Sequence, residues 1–227
     1  MSRAYYERCG KQMLETFVDH WPEGELWCYS EDGPLPFQHP RLIYKPLLSV
    51  PGCGDFLRSV STLPVFRGHI NGQRHYTHDI YTFSRKVFAW LDAAAEYNGR
   101  LWWLDADVIT DRDIPEVMLD EWIAGKMMCV MKRKTWHLCS SFFGIDCGYP
   151  DVVKLLQHLY SIYVTGTVLT LPQWDDAFVL EQVLAQSQEV RNIGENVLGN
   201  GPYNVFDAVF NGLAHHLKGA LKNDAPD

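Results

Sequence analysis

The apolar positions of the chain follow two spacings, and these spacings predict its secondary structure. Spacings of three and four residues predict amphipathic helices at 5–20, 79–97, 151–163 and 174–186, with a shorter one inside 114–125. Short apolar runs between turn residues predict strands at 26–30, 101–110, 127–131, 137–146 and 190–193. Because helices and strands alternate along the chain, the pattern predicts an α/β fold.

Two stretches near the start depart from this alternation. The helix at 5–20 almost opens the chain, whereas a nucleotide-binding α/β domain usually begins with a strand whose end holds the nucleotide. We therefore expect a first strand upstream of this sequence. The segment 34–78 is rich in Pro, Gly and His and is long for a plain connection, so we expect it to carry short ordered elements near the site.

The stretch 101–110, LWWLDADVIT, carries the main chemical signal. Its continuous apolar run is typical of a strand buried on both faces, as in a parallel sheet. Side chains alternate along an extended chain, so Asp105 and Asp107 are expected to point to the same side and to share one cation. Carboxylate oxygens suit Mg²⁺ or Mn²⁺, and open α/β sheets bind ligands beyond their strand ends. The stretch therefore predicts a divalent metal that holds a phosphate-bearing substrate.

Two simpler interpretations of this acidic pair were weighed. Asp105 and Asp107 can cap a turn, because Asp satisfies local backbone donors well. A calcium loop is the second, but Ile109 and Thr110 stand where that loop needs an oxygen ligand and a glycine. The calcium loop is excluded, and turn capping stays open.

Composition and charge narrow the class of protein. The chain has 227 residues, of which 47% are hydrophobic, so it can bury a sizeable core within one domain. A formal charge of −8 argues against non-specific nucleic-acid binding. No apolar run is long enough to predict a transmembrane helix, and the start lacks the pattern of a signal peptide. The six cysteines form no C-x-x-C pair, which favours reduced, buried thiols and a cytoplasmic location.

Charged residues on predicted helices are further candidates. Arg85 and Lys86 lie in the helix that precedes the acidic strand, where they either face solvent or meet phosphate oxygens. Asp175 and Asp176 begin the helix at 174–186, a position that also satisfies the helix dipole. The basic run 132–134 is interpreted as a surface loop.

The tail contains the pattern H-x-x-G-x-x-K at His216, Gly219 and Lys222. An imidazole can join carboxylates on a metal such as Mn²⁺, glycine lets the backbone approach a diphosphate, and lysine supplies positive charge to it. A basic terminal helix would give a similar pattern.

The order of these features resembles that of the GT-A glycosyltransferases, closest in pattern to the glycogenin-like and bacterial galactosyltransferase-like enzymes of family eight. The matching features are the helix segment with Lys86, the D-x-D of Asp105 and Asp107, the small residues Ser140, Ser141 and Gly144 in a strand where they leave room for a ligand, the acidic helix start at Asp175 and Asp176, and the tail motif His216, Gly219 and Lys222. The likeness spans roughly 6–222. It implies a GT-A-like, Rossmann-type mixed sheet flanked by helices in one domain, 1–227, with a nucleotide-sugar half at about 1–125 and an acceptor half at about 126–227.

The resemblance also implies roles for these residues. Asp105, Asp107 and His216 would hold Mn²⁺, or Mg²⁺, against the diphosphate of a UDP-sugar. Lys86, Gly219 and Lys222 would contact the phosphates of the donor, and Asp175 or Asp176 would face the sugar or the acceptor as catalytic residues. The family transfers sugars with retention of configuration. The acceptor stays open among a glycan, a lipid, a protein and a nucleic-acid base.

The sequence departs from the family pattern in two places. Asn223 and Asp224 replace the usual Pro-Trp after the final lysine, and the opening strand is missing.

Two other functions remain as alternatives. A haloacid-dehalogenase-type phosphatase also carries D-x-D after a strand, although its acidic pair follows an early strand. A catalytically degenerate glycosyltransferase fold that only binds a sugar or a partner is the other alternative.

Overall fold

The computed structural model of the chain describes residues 1–134, 136–185, 187–195 and 204–217. Its helices are Arg3–Tyr5 (α1), Lys11–His20 (α2), Cys53–Ser61 (α3), Ile80–Glu96 (α4), Glu116–Ile123 (α5), Val152–Val164 (α6), Asp176–Leu184 (α7) and Asn204–Phe210 (α8). Its strands are Leu26–Ser30 (β1), Leu42–Pro46 (β2), His69–Ile70 (β3), Gln73–Arg74 (β4), Arg100–Leu104 (β5), Val108–Thr110 (β6), Met128–Met131 (β7), Cys139–Asp146 (β8), Val190–Asn192 (β9) and Ala214–His216 (β10). The predicted α/β class is confirmed.

The chain opens on helix, as predicted, but this helix is not regular. A π-helical turn, Tyr6–Gly10, joins α1 to α2. The following strand β1 pairs in parallel with β2, which the sequence did not predict. The segment 34–78 carries ordered elements, as expected, namely β2, α3, short 3₁₀ turns and the β3–β4 hairpin.

The central sheet has the strand order β5-β8-β7-β9. Strand β8 runs antiparallel to both β5 and β7, whereas β9 is parallel to β7. The expectation that β5 lies in a parallel sheet is therefore wrong. Its continuous apolar run reflects a sheet covered on both faces, and an antiparallel pair can be covered in this way as well.

Consecutive phenylalanines of β8 show how both faces of the sheet are covered. Phe143 packs into an apolar cluster with α4, α6 and α7, and Phe142 packs into a second cluster with α2, α5 and α8. Both rings are fully buried. Since neighbouring side chains of a strand point to opposite faces, the sheet forms the middle of three layers.

Gly144 serves the packing of this sheet rather than ligand entry. A Cβ atom at this position would lie 2.5 Å from Cζ3 of Trp102 and 2.8 Å from the Sγ of Cys129. The interpretation that Gly144 leaves room for a ligand is therefore wrong, because two neighbouring strands already fill that space.

The acidic pair lies in a turn rather than in an extended strand. Strand β5 ends at Leu104, and the backbone N–H of Val108 donates to the carbonyl of Asp105 over 3.0 Å. The chain then continues as β6, which pairs antiparallel with β10. This pairing brings the tail of the chain beside the acidic turn.

The described residues also bear on the state of the cysteines and on membrane-spanning helices. All six cysteines carry free thiols, and five of them are buried. Within the described residues, none of the helices has both the length and the apolar character needed to cross a bilayer.

Candidate functional site

A cavity of about 910 Å³ opens where β1, α4, the acidic turn and the start of β8 meet. Its lining includes every predicted site residue that the structure describes, namely Lys86, Asp105, Asp107, Asp175, Asp176 and His216. Six basic side chains also line it, although the chain as a whole is acidic: Arg8, Arg67, Arg74, Arg85, Lys86 and Arg133. An acidic protein that gathers cations in one cavity provides a local site for an anionic ligand.

Asp107 and His216 form a buried pair at the floor of this cavity. The Nε2 atom of His216 lies 2.9 Å from Oδ1 of Asp107, and the phenol of Tyr5 donates to Oδ2 of Asp107 over 3.0 Å. On its other side, the imidazole Nδ1 is 2.7 Å from Oγ of Ser141. Burial, followed by the nearby Asp107 carboxylate, raises the pKa of Tyr5, so its phenol stays protonated and can donate.

The β6–β10 pairing fixes this contact from the backbone. His216 stands opposite Val108 in the ladder, and the N–H of Leu217 donates to the carbonyl of Asp107 over 2.9 Å. A strand therefore presents His216, which rules out the terminal-helix interpretation for this residue. Gly219 and Lys222 lie outside the described residues.

Asp105 belongs to a second, charged group around Lys86. The Lys86 ammonium lies 2.9 Å from the carboxylate of Asp105 and 3.2 Å from Oδ2 of Asp176. The indole of Trp103 also donates to Oδ1 of Asp105 over 2.8 Å. Burial alone would lower the pKa of Lys86, but the two carboxylates outweigh it and raise the pKa. Lys86 is therefore a charged, partly buried cation and not part of a solvated helix face.

Asp105, Asp107 and His216 together form a set of possible metal ligands. One carboxylate oxygen from each Asp and one imidazole nitrogen all lie within 4.8 Å of one another. Two carboxylates and an imidazole are donors that Mn²⁺ accepts, and Ser141 occupies the position of an outer-shell partner that orients the ring. The donor set therefore fits a divalent metal.

Asp175 caps α7, as the simpler interpretation predicted, and it also faces the cavity. Its Oδ1 accepts from the N–H of Phe178 over 3.0 Å and lies 3.2 Å from Nε2 of His137. Among the described residues, Oδ2 of Asp175 finds no hydrogen-bond partner although it is buried. Burial raises the pKa of both Asp175 and Asp176, against the effect of Lys86.

The basic run 132–134 is only partly a surface loop. The guanidinium of Arg133 donates from Nε to the carbonyl of His137 over 2.6 Å and from Nη2 to that of Leu138 over 2.7 Å. These two bonds join Arg133 to the start of the segment that leads into β8, and Arg133 and His137 both line the cavity. Burial, together with the Arg133 charge, lowers the pKa of His137 to about 4, so its ring is neutral near neutral pH.

Arg85 has a structural partner at the cavity wall. Its Nη1 lies 2.6 Å from Oε1 of Glu31, which follows β1, and its guanidinium stands 5.1 Å from the ring centroid of Tyr81. Arg85 thus joins α4 to the end of β1 while still lining the cavity. Of the two predicted basic residues, Lys86 is the one beside the acidic turn.

Sequence reasoning did not find several residues of this site. Tyr5 precedes the π-helical turn, a feature that often marks functional positions in structures but has no sequence signature. Ser141 is predicted only as a small residue, His137 only as the first residue of a strand, and Trp136 is not among the predicted site residues. Each depends on contacts between segments far apart in sequence.

Comparisons with known proteins bear on the fold. No protein-family model matches the chain, and no curated protein matches it. Solved structures do match. Mouse xyloside xylosyltransferase 1 in its apo form has a TM-score of 0.54 and 13% identity, over 99% of this chain and 97% of that protein. The glycosyltransferase GlyE of Streptococcus pneumoniae TIGR4 has a TM-score of 0.55 and 11% identity, over 96% of this chain and 53% of GlyE.

A third structure is the galactosyltransferase LgtC in complex with donor and acceptor sugar analogs. It has a TM-score of 0.53 and 12% identity, over 96% of this chain and 85% of LgtC. Likeness at such low identity shows the fold. The chain therefore has a GT-A-type glycosyltransferase fold, as the order of its motifs predicted.

Proposed function

We propose that this protein is a metal-dependent glycosyltransferase that moves a sugar from a nucleotide sugar, most simply a UDP-sugar, to an acceptor. One observation carries the proposal: Asp105, Asp107 and His216 offer three ligand atoms within 4.8 Å of one another, in a cavity of a glycosyltransferase fold. The family-eight resemblance of the motifs supports the same function and implies retention of configuration.

The donor set favours Mn²⁺, or Mg²⁺, as the ion. Once bound, the ion would neutralise the charge that develops on a nucleoside diphosphate leaving group. His216 would offer Nε2 as ligand, while its Nδ1–H donates to Ser141. Tyr5 would stay as a hydrogen-bond donor to Oδ2 of Asp107, which leaves Oδ1 for the ion.

Lys86 would supply a fixed positive charge beside the donor phosphates. Asp105 and Asp176 hold its ammonium in place from two sides, so it needs little reorganisation when a phosphate arrives. By the resemblance, Gly219 and Lys222 would add a close backbone approach and a second cation. Asp175 and Asp176 would face the transferred sugar or the acceptor.

Calorimetry with UDP and Mn²⁺ tests the proposal directly. Wild type is expected to bind UDP only with the ion. Asp107→Ala is expected to weaken this binding by about a hundredfold or more, since it removes one of the three metal ligands and the hydrogen bond from Tyr5 that orients it. Asp113→Asn is the matched control, because its side chain is 81% exposed and pairs with His20 outside the ligand set. Equal binding by wild type and Asp107→Ala contradicts the metal site.

Two activity measurements separate the rival functions. Slow hydrolysis of a UDP-sugar by wild type supports a transferase, whereas UDP binding without hydrolysis or transfer supports a binding protein. Release of phosphate from p-nitrophenyl phosphate with no response to UDP-sugars supports a phosphatase.

We propose a cytoplasmic location, because the six cysteines form no disulfide.

A further inference from the structure

Two aromatic side chains stand exposed at the rim of the cavity. Tyr76 is 66% exposed and Trp136 is 48% exposed, yet both line the same cavity as the acidic residues. Single exposed aromatics are ordinary on protein surfaces, but two at the mouth of one cavity are a feature of ligand sites.

The segments that carry the two rings both contact the residues just before α7. On one side, the N–H of Trp174 donates to the carbonyl of Thr77 over 2.7 Å, which fixes the turn that carries Tyr76. On the other side, the indole of Trp136 donates to Nε2 of His137 over 2.8 Å, and the same Nε2 lies 3.2 Å from Oδ1 of Asp175. Tyr76 and Trp136 therefore reach the neighbourhood of Asp175 from two separate chain segments.

The Asp175 carboxylate, which lies between these segments, has one oxygen that accepts no hydrogen bond from the described residues. Asp175 is 4% exposed, and its Oδ2 has no hydrogen-bond partner among the described residues. A buried carboxylate oxygen of this kind is costly unless a donor meets it. A buried carboxylate disfavours a second negative charge beside it, so Oδ2 of Asp175 favours a neutral group that donates a hydrogen bond.

From this combination we infer that Tyr76 and Trp136 form an aromatic frame for the acceptor, and that the acceptor presents a neutral sugar ring. A sugar ring offers an apolar face to aromatic rings and hydroxyl donors to a carboxylate. A lipid chain lacks the donors, and a nucleotide brings a phosphate toward the Asp175 carboxylate. The inference rests on the proposed function, because it names the acceptor class of the same site.

The test is ¹⁹F NMR of the full chain labelled with 5-fluorotryptophan. The chain has eight tryptophans, and Trp136→Phe assigns the resonance of Trp136 by its loss. Neutral disaccharides (lactose, maltose, cellobiose and xylobiose) are titrated with and without UDP and Mn²⁺. A saturable shift of the Trp136 resonance by at least one of them, in either condition, is the expected result.

A second variant tests whether Tyr76 belongs to the same disaccharide site as Trp136. Tyr76→Ala is expected to weaken the disaccharide roughly tenfold, as removal of one aromatic face does. Tyr97→Ala is the control and is expected to change nothing, since Tyr97 is 43% exposed but is not among the described residues that line the cavity. Equal weakening by both variants overturns the inference.

Titrations with other ligands, and UDP binding itself, also test the aromatic frame. A Trp136 shift caused by a polyprenyl phosphate, a serine-containing peptide or cytidine, with none from the disaccharides, overturns the inference. So does UDP binding by wild type without any disaccharide response, and in that case the proposed function stands. A disaccharide response without UDP binding supports the aromatic frame but removes the transferase.

Discussion

The imidazole Nε2 of His216 lies 2.9 Å from the Asp107 carboxylate, although 109 residues separate the two in sequence. The pairing of β6 with β10 creates this contact, and the Ser141 hydroxyl supports the ring from its other nitrogen. The chain also contains a second, neighbouring pair of the same chemistry, His215 with Asp111, at 2.7 Å. This second pair is half exposed.

The two neighbouring histidines give a matched test of the metal site. His216→Ala is expected to weaken Mn²⁺-dependent UDP binding by about a hundredfold or more, because it removes one of three ligands. His215→Ala removes an imidazole–carboxylate contact of similar length at the surface, outside the ligand set, and is expected to leave this binding unchanged. Calorimetry of both variants checks the prediction, and equal losses contradict it.

Ser141 is predicted to act by orienting His216. Ser141→Ala leaves the metal ligands in place but removes the partner of Nδ1, so Mn²⁺ affinity is expected to fall roughly 10- to 100-fold. Ser84→Ala is the control, because the Ser84 hydroxyl is buried without a hydrogen-bond partner among the described residues. Its loss is expected to be near neutral for stability and to leave Mn²⁺ affinity unchanged, since Ser84 is not in the ligand set. Mn²⁺ titration checks both, and an unchanged affinity in Ser141→Ala contradicts the orienting role.

Lys86 is predicted to be important for stability as well as for binding. Lys86→Met leaves the Asp105 and Asp176 carboxylates without their cation in a largely buried site, which is expected to lower the free energy of unfolding by about 3–5 kcal/mol. Lys154→Met removes a lysine that is 3.0 Å from Asp151 on the surface, and its effect is expected to stay within about 1 kcal/mol. Urea denaturation measures both.

A double variant checks the cause of that loss. If unpaired charge is responsible, Lys86→Met combined with Asp176→Asn is expected to recover part of the stability. A Lys86→Met protein as stable as Lys154→Met would show that the two carboxylates do not need the ammonium.

The neutral, buried ring of His137 predicts a pH dependence of stability. Its pKa is lowered to about 4 by burial and by Arg133, whereas an unfolded histidine titrates near pH ~6.5. Between these values the unfolded chain binds the extra proton, so His137 makes the free energy of unfolding fall as the pH decreases through this window. The raised pKa values of Asp175 and Asp176 act in the opposite sense.

His137→Gln separates the histidine from these carboxylates. The free energy of unfolding of wild type, minus that of the variant, is expected to decrease as the pH is lowered from about 6.5 to about 4. Urea denaturation at several pH values measures this difference. A difference that stays constant across the window would mean that His137 gains a proton as easily in the folded protein as in the unfolded chain.

Local signals in the sequence predicted much of the fold. The helix predicted to begin at residue 79 does so, because Asp79 caps α4 by accepting from the N–H of Thr82 over 2.8 Å. The D-x-D residues come together as predicted, but the reason was wrong. A tight turn brings Asp105 and Asp107 close, rather than the alternation of an extended strand. Strand direction was also wrong for β5, because an apolar run reports burial and not the direction of its neighbour.

Long-range contacts account for what the sequence could not predict. Tyr5 belongs to an amphipathic helix by its spacing, and only the folded chain shows its phenol 3.0 Å from Asp107. Arg133 sits in a basic run that resembles any solvated loop, yet its guanidinium holds two backbone carbonyls of the following segment. Such contacts depend on how separate elements pack, which residue spacing does not encode.

The placement of His216 on β10 has a consequence for the order in which the molecule gains its function. During synthesis, the acidic turn emerges from the ribosome long before the strand that carries the imidazole. A chain that has not yet reached residue 216 holds only two of the three ligands, so metal affinity is expected to arise only after β10 has emerged and paired with β6.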